Sequence, residues 1–477
     1  MKIKLSSENY RIVVYEMISV FLDPSEIEFT HENFKTGLII NLENGIEIIY
    51  LEDNLIKYHK IVNRKDIKVD ENFSFNMGIK FEIAKFFTNI FNKSNPWGVL
   101  TGIRPVKVSR KLLNKYRYDE ALKYLTEKLL LNSNKAKLIL DISNVQSNII
   151  KSTVKDDYSV YINIPFCTGR CSYCSFSTLV ISKNRDKVNP YIDALLYEMK
   201  TLKKHFKKNP ISIYIGGGTP TALDESDLER LLSGIEEIYD LNSFQEFTVE
   251  AGREDSLSSE KLKILKKFNV TRISLNPQSF RSETLEKIGR NQNNDNLIKK
   301  YYEARTIGFN SINMDLIIGL PDETLSDFNI TLNKIKELQP DNLTIHTLAI
   351  KKGSKLMQDK RDMLEENKQA NLMMNRAVEF SKENGYIPYY LYRQKRILGN
   401  LENIGFSKSN KICKYNIYMM EEAQNILGIG MGSGSKFLKE NDLILNHRNF
   451  MNMRDYLEKI EDIIGEKEKL IEKRSRN

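Results

Sequence analysis

An alternation of short apolar runs and amphipathic segments between residues 158 and 347 constrains the fold of this chain more than any other feature. Amphipathic helices follow the apolar runs, and Asn189 and Pro190 predict a capped start for the helix Pro190–Phe206. A doubly wound parallel sheet and a complete or partial (β/α) barrel both satisfy this pattern. The predicted strands are Tyr158–Ile164, Ile211–Ile215, Glu246–Val249, Thr271–Leu275, Ile312–Ile317 and Leu343–Thr347.

The segments before this alternation predict a separate α+β domain. Apolar stretches on both sides of Asn44-Gly45 predict a hairpin with a type I′ turn. Apolar positions spaced by three and four residues predict helices in 78–92 and 117–151. Between them, Trp97–Pro105 is interpreted either as a loop that starts a helix at Pro105 or as a ligand or docking loop.

After residue 352 the alternation gives way to helices, a strand-like Tyr389–Tyr392 and the glycine-rich segment Gly428–Gly434. Ser433 stands where a dinucleotide-binding motif requires its third glycine, so tight backbone packing is the better interpretation of this segment.

Composition excludes several classes of protein. The chain has 477 residues, 41% of them hydrophobic, but no apolar run approaches the ~20 residues of a membrane span. Residues 1–5 do not resemble a signal peptide, so a cytoplasmic location is expected. The net charge of +9 fits a solvated surface, an anionic small molecule or nucleic acid.

Three of the four cysteines, Cys167, Cys171 and Cys174, directly follow the first predicted strand. Thiolates crowded on such a loop predict a soft metal. Zinc usually needs four ligands, and Cys413 is far away in the chain. An iron–sulfur cubane with three cysteines would instead keep one iron open for a chelating substrate.

The next strand ends carry further polar groups. Gly216–Thr221 lets a ligand approach the backbone closely, and no Gly-Lys-Ser/Thr follows to make it a phosphate loop. Glu250 and Asp315 lie in apolar strands, where an unpartnered carboxylate is costly. Gln278 and Arg290 are either ligand contacts or ordinary surface side chains.

The spacing Cys-x-x-x-Cys-x-x-Cys, with Tyr173 before the last cysteine, resembles the signature of the radical S-adenosylmethionine (SAM) superfamily. The resemblance implies a 4Fe–4S cluster on Cys167, Cys171 and Cys174. It also implies that the reduced cluster cleaves SAM to a 5′-deoxyadenosyl radical, which removes a substrate hydrogen.

The ordered motifs from about residue 158 to about 440 are similar to the oxygen-independent coproporphyrinogen III oxidase family. The segments Trp97–Pro105, Tyr389–Gln394 and Gly399–Asn403 resemble its HemZ-like subgroup. This resemblance implies a partial (β/α)6 barrel of the radical SAM type with an N-terminal α+β domain and a mostly helical C-terminal region. The implied domains are 1–150, of unknown role, 155–352, the radical SAM core, and 353–477, which covers the substrate.

The resemblance also implies roles for individual residues. Tyr161 and Tyr173 would flank the cluster and adenine, and the carboxylates would hold ribose hydroxyls or the SAM amine. Arg290 would pair with a carboxylate, that of a second SAM molecule in this family. The SAM contacts implied are Tyr161, Tyr173, Gly218, Thr219, Glu250, Gln278, Arg290 and Asp315.

The implied reaction is oxidative decarboxylation of two propionates of coproporphyrinogen III to vinyl groups, giving protoporphyrinogen IX in haem biosynthesis. An electron donor protein and an electron acceptor, both unidentified, would take part. Arg393, Lys395 and Arg396 are candidates for propionate contacts, or else part of a solvated face.

Two departures keep alternatives open. Phe176 replaces a further cysteine of the best-characterised branch, and a different domain replaces that branch's N-terminal arm. The haem-chaperone branch, which transfers haem without decarboxylation, shares the change at Phe176. That branch's Cys-x-His-Asn-x-x-Tyr-Trp pattern lacks its His and Trp here, around Cys413, and the enzyme is therefore favoured over the chaperone. A radical protein that modifies nucleic acid is disfavoured because no aromatic-interleaved basic stripe is evident.

Overall fold

The computed structural model describes residues 1–67, 70, 73–349, 363–394, 397–439 and 443–475. They form two compact units, Met1–Asn144 and Val145–Asn477. The division falls inside one helix, Ser133–Lys151, and each unit is described by itself below. The three-domain division 1–150, 155–352 and 353–477 stays a prediction.

The first unit is a five-stranded sheet with helices packed on it, in the strand order β2-β1-β3-β4-β5. Apolar side chains of β1, β3, β4, α1 and α2 form its core. Its strands are β1 Lys2–Leu5, β2 Glu28–Phe29, β3 Gly37–Asn41, β4 Gly45–Glu52 and β5 Leu55–Asn63. Its helices are α1 Arg11–Ile18, α2 Phe75–Phe91, α3 Pro105–Leu113, α4 Tyr118–Lys123 and the start of α5 Ser133–Lys151.

The hairpin around Asn44 is confirmed, but its predicted two-residue turn is wrong. Gly45 already belongs to β4, and the turn runs through the three residues before it. Within this sheet, two consecutive residues with positive φ, Asp53 and Asn54, lie instead in the turn between β4 and β5. Pro105 starts helix α3 as predicted, and Trp97 is fully buried.

The second unit is built on one sheet of eleven strands and a two-stranded ladder, β7–β8. Its strands are β6 Tyr158–Ile164, β7 Phe166–Cys167, β8 Leu179–Val180, β9 Ser212–Gly217, β10 Glu246–Glu250, β11 Arg272–Ser274, β12 Ile312–Ile318, β13 Asn342–Thr347, β14 Ile387–Tyr392, β15 Asn403–Ser407, β16 Asn425–Ile429, β17 Gly434–Leu438 and β18 Ile444–Arg448. Its helices are α6 Val188–Lys203, α7 Glu225–Ile238, α8 Ser259–Lys267, α9 Ser282–Lys287, α10 Asn294–Ile307, α11 Leu325–Leu338, α12 Met363–Glu383, α13 Lys414–Glu421, α14 Met453–Glu458 and α15 Ile460–Ser475.

All six predicted strands of the alternation are present as β6 and β9 to β13, parallel and adjacent in chain order. The full order is β14-β15-β13-β12-β11-β10-β9-β6-β16-β17-β18, and no ladder joins its two ends among the described residues. The fold is therefore the α/β type of a partial (β/α)6 barrel. Because the six strands are parallel, their carboxyl ends meet at one edge of the sheet.

Helix α6 begins at Val188 rather than at Pro190, so the predicted cap at Asn189 is wrong. Short 3-10 turns lead directly into this helix from Ile181 onwards. Pro190 still lies in the first helical turn, where a missing N–H costs no hydrogen bond.

The C-terminal region contains helices α12 to α15, and it also adds five strands, β14 to β18, to the sheet. The glycine-rich segment joins β16 to β17, and tight packing there is confirmed. A Cβ on Gly428 would lie 2.4 Å from the carbonyl oxygen of Gly434. None of the helices in the described part of the chain is both long and apolar enough to cross a membrane.

Candidate active site

The three clustered cysteines lie at the carboxyl end of the first barrel strand. Cys167 ends the short strand β7, and Cys171 and Cys174 follow on its loop. The backbone of this loop is fastened by a hydrogen bond from Ser172 N to Ile288 O, of 2.8 Å. Cys167 and Cys171 are buried, and burial raises the pKa of the Cys174 thiol, which the neighbouring thiols raise further.

A cavity of about 390 Å³ opens at these cysteines and extends along the carboxyl ends of the parallel strands. It brings together ten of the eleven predicted site residues. They are Cys167, Cys171, Tyr173, Cys174, Gly218, Thr219, Glu250, Gln278, Arg290 and Asp315.

Tyr161 is the predicted site residue that does not line this cavity. Its ring lies instead beside those of Tyr214 and Tyr415, with centroids at 6.1 Å and 6.3 Å. Tyr214 does face the cavity, so Tyr161 lies behind a wall residue. A direct contact of Tyr161 with adenine is therefore not supported by this geometry.

The glycine-rich turn after β9 requires its glycines. Gly217 has φ of +109°, and a Cβ on Gly218 would lie 2.4 Å from the Phe166 carbonyl oxygen. The turn therefore packs directly against the strand that ends in Cys167, and Thr219 Oγ1 lies 3.3 Å from Cys167 Sγ. The glycine backbone of this turn and Cys167 therefore lie on the same wall of the cavity.

The two strand carboxylates have opposite electrostatic environments. Burial raises the pKa of Glu250 to about 7, although Tyr214 Oη donates a hydrogen bond of 2.7 Å to it. Burial would also raise the pKa of Asp315, but the neighbouring His346 imidazole and hydrogen bonds, such as that from Asn313 Nδ2 at 2.7 Å, hold it below its usual value. The site thus combines a carboxyl that titrates near neutrality with a carboxylate.

Gln278 and Arg290 occupy the cavity wall after β11. Gln278 has φ of +64° and joins β12 through its backbone, which donates to Asp315 O at 2.9 Å. Arg290 is buried, and Nη2 of its guanidinium donates to Gly252 O at 2.8 Å. Neither is an ordinary surface side chain, so the surface interpretation is wrong for both.

Several polar atoms of the cavity wall are available for hydrogen bonds to a ligand. Thr248 Oγ1, Asn276 Oδ1 and Gln278 Oε1 are buried and have no hydrogen-bond partner among the described residues. A buried polar atom without a hydrogen-bond partner destabilises a protein unless a ligand or water provides that partner. A SAM molecule, with its amine, carboxylate, ribose and adenine, can provide these partners, and the three thiols beside them are the donor type that binds iron–sulfur clusters.

The cavity also includes residues that the motifs did not identify. Their common feature is a polar side chain at every second position of a buried strand. They are Thr248, Arg272, Ser274, Asn313, Asn342, Thr344 and His346. His346 Nε2 lies 3.7 Å from Asp315 Oδ2, and its Nδ1 lies 3.3 Å from Tyr392 Oη.

Of the three predicted propionate contacts, the structure describes Arg393, which is not among these wall residues. The guanidinium of Arg393 is buried and bonds Asn400, and burial lowers its pKa to about 10. Lys395 and Arg396 lie outside the described residues.

Comparison with known proteins agrees with this geometry. The family model of the Radical SAM superfamily matches residues 161–335. The oxygen-independent coproporphyrinogen-III oxidase-like protein HemZ of Bacillus subtilis is 40% identical over 407 residues, which cover 83% of this chain and 81% of that protein. The chain belongs to the radical SAM superfamily, in the group that contains HemZ.

Two further relatives describe this group. The haem chaperone HemW of Bacillus subtilis is 34% identical over 280 residues, 58% of this chain and 70% of HemW. The solved structure of coproporphyrinogen III oxidase (HemN) from Escherichia coli, a radical SAM enzyme, has the same fold. It aligns with a TM-score of 0.52 and 22% identity over 67% of this chain and 72% of HemN. A 4Fe–4S cluster and SAM are the cofactors of this superfamily and of this chain, whereas the role of each wall residue stays a prediction.

Proposed function

We propose that this protein catalyses the oxygen-independent oxidative decarboxylation of coproporphyrinogen III to protoporphyrinogen IX. The observation that carries the proposal is one cavity where three cysteines meet the predicted SAM-binding side chains. The substrate class is inferred from the HemZ-like relative. A net charge of +9 suits a substrate with four carboxylates.

In this proposal each residue has a defined task. Cys167, Cys171 and Cys174 hold the cluster, which with bound SAM supplies the one-electron chemistry that removes a hydrogen atom from substrate. Glu250 and Asp315 accept hydrogen bonds from the ribose or amine. These groups are fixed before the ligand arrives, so they orient it at small entropic cost.

The net change at each propionate is the loss of a hydrogen atom, carbon dioxide and one electron, which leaves a vinyl group. The hydrogen leaves the carbon next to the ring, and the electron passes to an acceptor. We place this reaction in the cytoplasm, with an electron donor protein and an electron acceptor that are both unidentified.

A haem chaperone is the second candidate, because HemW is 34% identical over 280 residues. Two observations favour the enzyme. Tyr415, at the position of the chaperone pattern's histidine, is stacked on Tyr214 with centroids 4.7 Å apart. Cys413 donates its thiol hydrogen to Glu246 Oε1 at 3.1 Å, and burial raises its pKa, so it is not a ready thiolate ligand.

Anaerobic turnover decides between these functions. The protein is reconstituted with iron and sulfide, reduced with dithionite, and supplied with SAM and coproporphyrinogen III. We expect carbon dioxide and a divinyl porphyrinogen, and neither product from Cys171→Ala. Formation of deoxyadenosine without carbon dioxide, together with tight haem binding and transfer to an acceptor protein, would contradict the enzyme and support the chaperone.

A further inference from the structure

Arg253 is a buried cation beside the cysteines to which neither the motifs nor the proposed function assigns a task. It follows β10, three residues after Glu250, and is 7% exposed. Its Nη1 donates to Cys171 Sγ at a distance of 3.4 Å. A charged hydrogen-bond donor therefore points at one sulfur of the predicted cluster ligands.

Asp255 fixes the position of the Arg253 guanidinium through the two nitrogens that do not face Cys171. Arg253 Nε and Nη2 donate to the two carboxylate oxygens of Asp255 at 3.0 Å and 2.6 Å. Asp255 in turn accepts from Thr168 Oγ1 at 3.1 Å, and Thr168 directly follows Cys167. The bidentate fork leaves only Nη1 free to face the sulfur, a geometry that lysine cannot reproduce.

We propose that Arg253 tunes the cluster: its hydrogen bond to Cys171 raises the reduction potential. Reduction adds one electron from an external reductant to the cluster, and no bond forms or breaks. Hydrogen bonds to the sulfurs and nearby positive charge stabilise the added negative charge, and low exposure strengthens both effects. Arg253 is thus a positioning residue that makes the cluster easier to reduce.

This inference rests on the cysteine ligands but on no particular substrate. It holds equally for a decarboxylase and for a haem chaperone. Its test contains no porphyrinogen and measures no turnover, so it can fail or succeed independently of the proposed function.

The experiment is a redox titration of the reconstituted full-length protein, followed by the EPR signal of the reduced cluster without SAM. The variants are Arg253→Met, which removes charge and donor, and Arg253→Lys, which keeps the charge without the fork. The double variant Arg253→Met/Asp255→Asn avoids an unpaired Asp255. Arg305→Gln is the matched control, because Arg305 pairs with Asp341 and does not line the cavity.

We expect both Met variants to hold a normal amount of cluster but to be about tenfold less reduced at a fixed potential, a shift of about 59 mV for a one-electron couple. Arg253→Lys should give an intermediate potential, and Arg305→Gln the wild-type value. An unchanged potential in the Met variants overturns the proposal. If those variants hold too little cluster, Arg253→Lys decides: an intermediate potential supports the proposal, and a wild-type potential overturns it.

Discussion

The pKa of Glu250 depends strongly on the residues that surround it. It ends β10, accepts hydrogen bonds from Tyr214 Oη and from the Gly217 N–H, and still has a pKa raised to about 7 by burial. Asp315 across the same cavity keeps a low pKa because it has His346 beside it. Two carboxyl groups of similar chemistry therefore differ in charge near neutral pH.

Glu250→Gln should change how stability depends on pH. The pKa of Glu250 in the folded protein, about 7, lies above its ordinary value of 4.5, so folding takes up a proton between these values and the contribution is lost as pH rises through 7. We expect the wild-type free energy of unfolding to fall by about 2.5 kcal/mol more than that of the variant between pH 5 and pH 8. Urea denaturation of the cluster-free protein, followed by circular dichroism, measures this difference.

Glu323 provides the matched control for that experiment. Burial also raises its pKa to about 7, but it hydrogen-bonds Ser279 and does not line the cavity. Glu323→Gln should flatten the pH dependence of stability as Glu250→Gln does. The two variants should differ in SAM affinity, which Glu323→Gln leaves unchanged and Glu250→Gln weakens. Identical pH slopes in wild type and Glu250→Gln would show that the carboxyl is not buried as described.

The four cysteines should separate into two classes. Cys171→Ser should abolish the visible absorbance of the reconstituted cluster, because a cubane with two cysteine ligands is not retained. Cys413→Ser should keep that absorbance, since its thiol is bonded to Glu246. Iron and sulfide content, measured beside the absorbance, checks both outcomes, and a retained cluster in Cys171→Ser would contradict the ligand assignment.

At the scale of elements, the polar residues of the cavity lie at alternate positions of otherwise apolar strands. In β12, Asn313 and Asp315 alternate with buried apolar residues, and β13 repeats the pattern with Thr344 and His346. Strands of a parallel sheet are usually apolar on both faces. The alternation could therefore have identified the cavity wall from sequence, whereas single motifs identified only some of its members.

A buried ion pair joins the last helix, α15, to helix α6. Lys467 of α15 and Glu198 of α6 are both completely buried, with Nζ to Oε1 at 2.5 Å, and Lys467 also donates to Gly428 O. Glu198 accepts further hydrogen bonds from Tyr456 Oη at 2.8 Å and Gly430 N at 2.9 Å. This cluster connects the three helices α6, α14 and α15 to the glycine-rich turn that borders β6.

Removing one partner of this pair should destabilise the second unit strongly. Lys467→Met leaves a buried carboxylate without its cation, and we expect the free energy of unfolding to drop by about 3–5 kcal/mol. The double variant Glu198→Gln/Lys467→Met should recover part of that loss because no charge stays buried. Urea denaturation of the variants tests this, and equal stability of Lys467→Met and wild type would contradict the buried pair.

At the scale of the whole molecule, all the described residues that line the cavity belong to the second unit. Every wall residue lies between Cys167 and Asn416, and the first unit has its own core. Helix α5 crosses the division, and Val145, Ile149 and Ile150 pack on the core of the second unit. A functional fragment therefore has to retain α5 intact.

A fragment that starts at Ser133 should reconstitute the cluster and bind SAM like the full chain. Cluster absorbance and equilibrium dialysis with SAM measure this. A fragment that starts at Asp156 is the control and should be less stable, because it lacks the apolar residues of α5. Failure of the Ser133 fragment to bind iron, although folded, would show that the first unit contributes to the site.

The sequence by itself determined the alternation of strands and helices, the three cysteines and seven further residues of the cavity, because periodicity and chain order dictate what meets at the carboxyl ends of parallel strands. It predicted β14, as the strand-like Tyr389–Tyr392, but not the other four C-terminal strands of the sheet, because short strands depend on the partner they pair with. Only the tertiary structure decided that Tyr161 lies behind Tyr214, that Glu250 titrates near pH 7 and that Arg253 faces Cys171. These properties arise from burial and from contacts between residues distant in the chain.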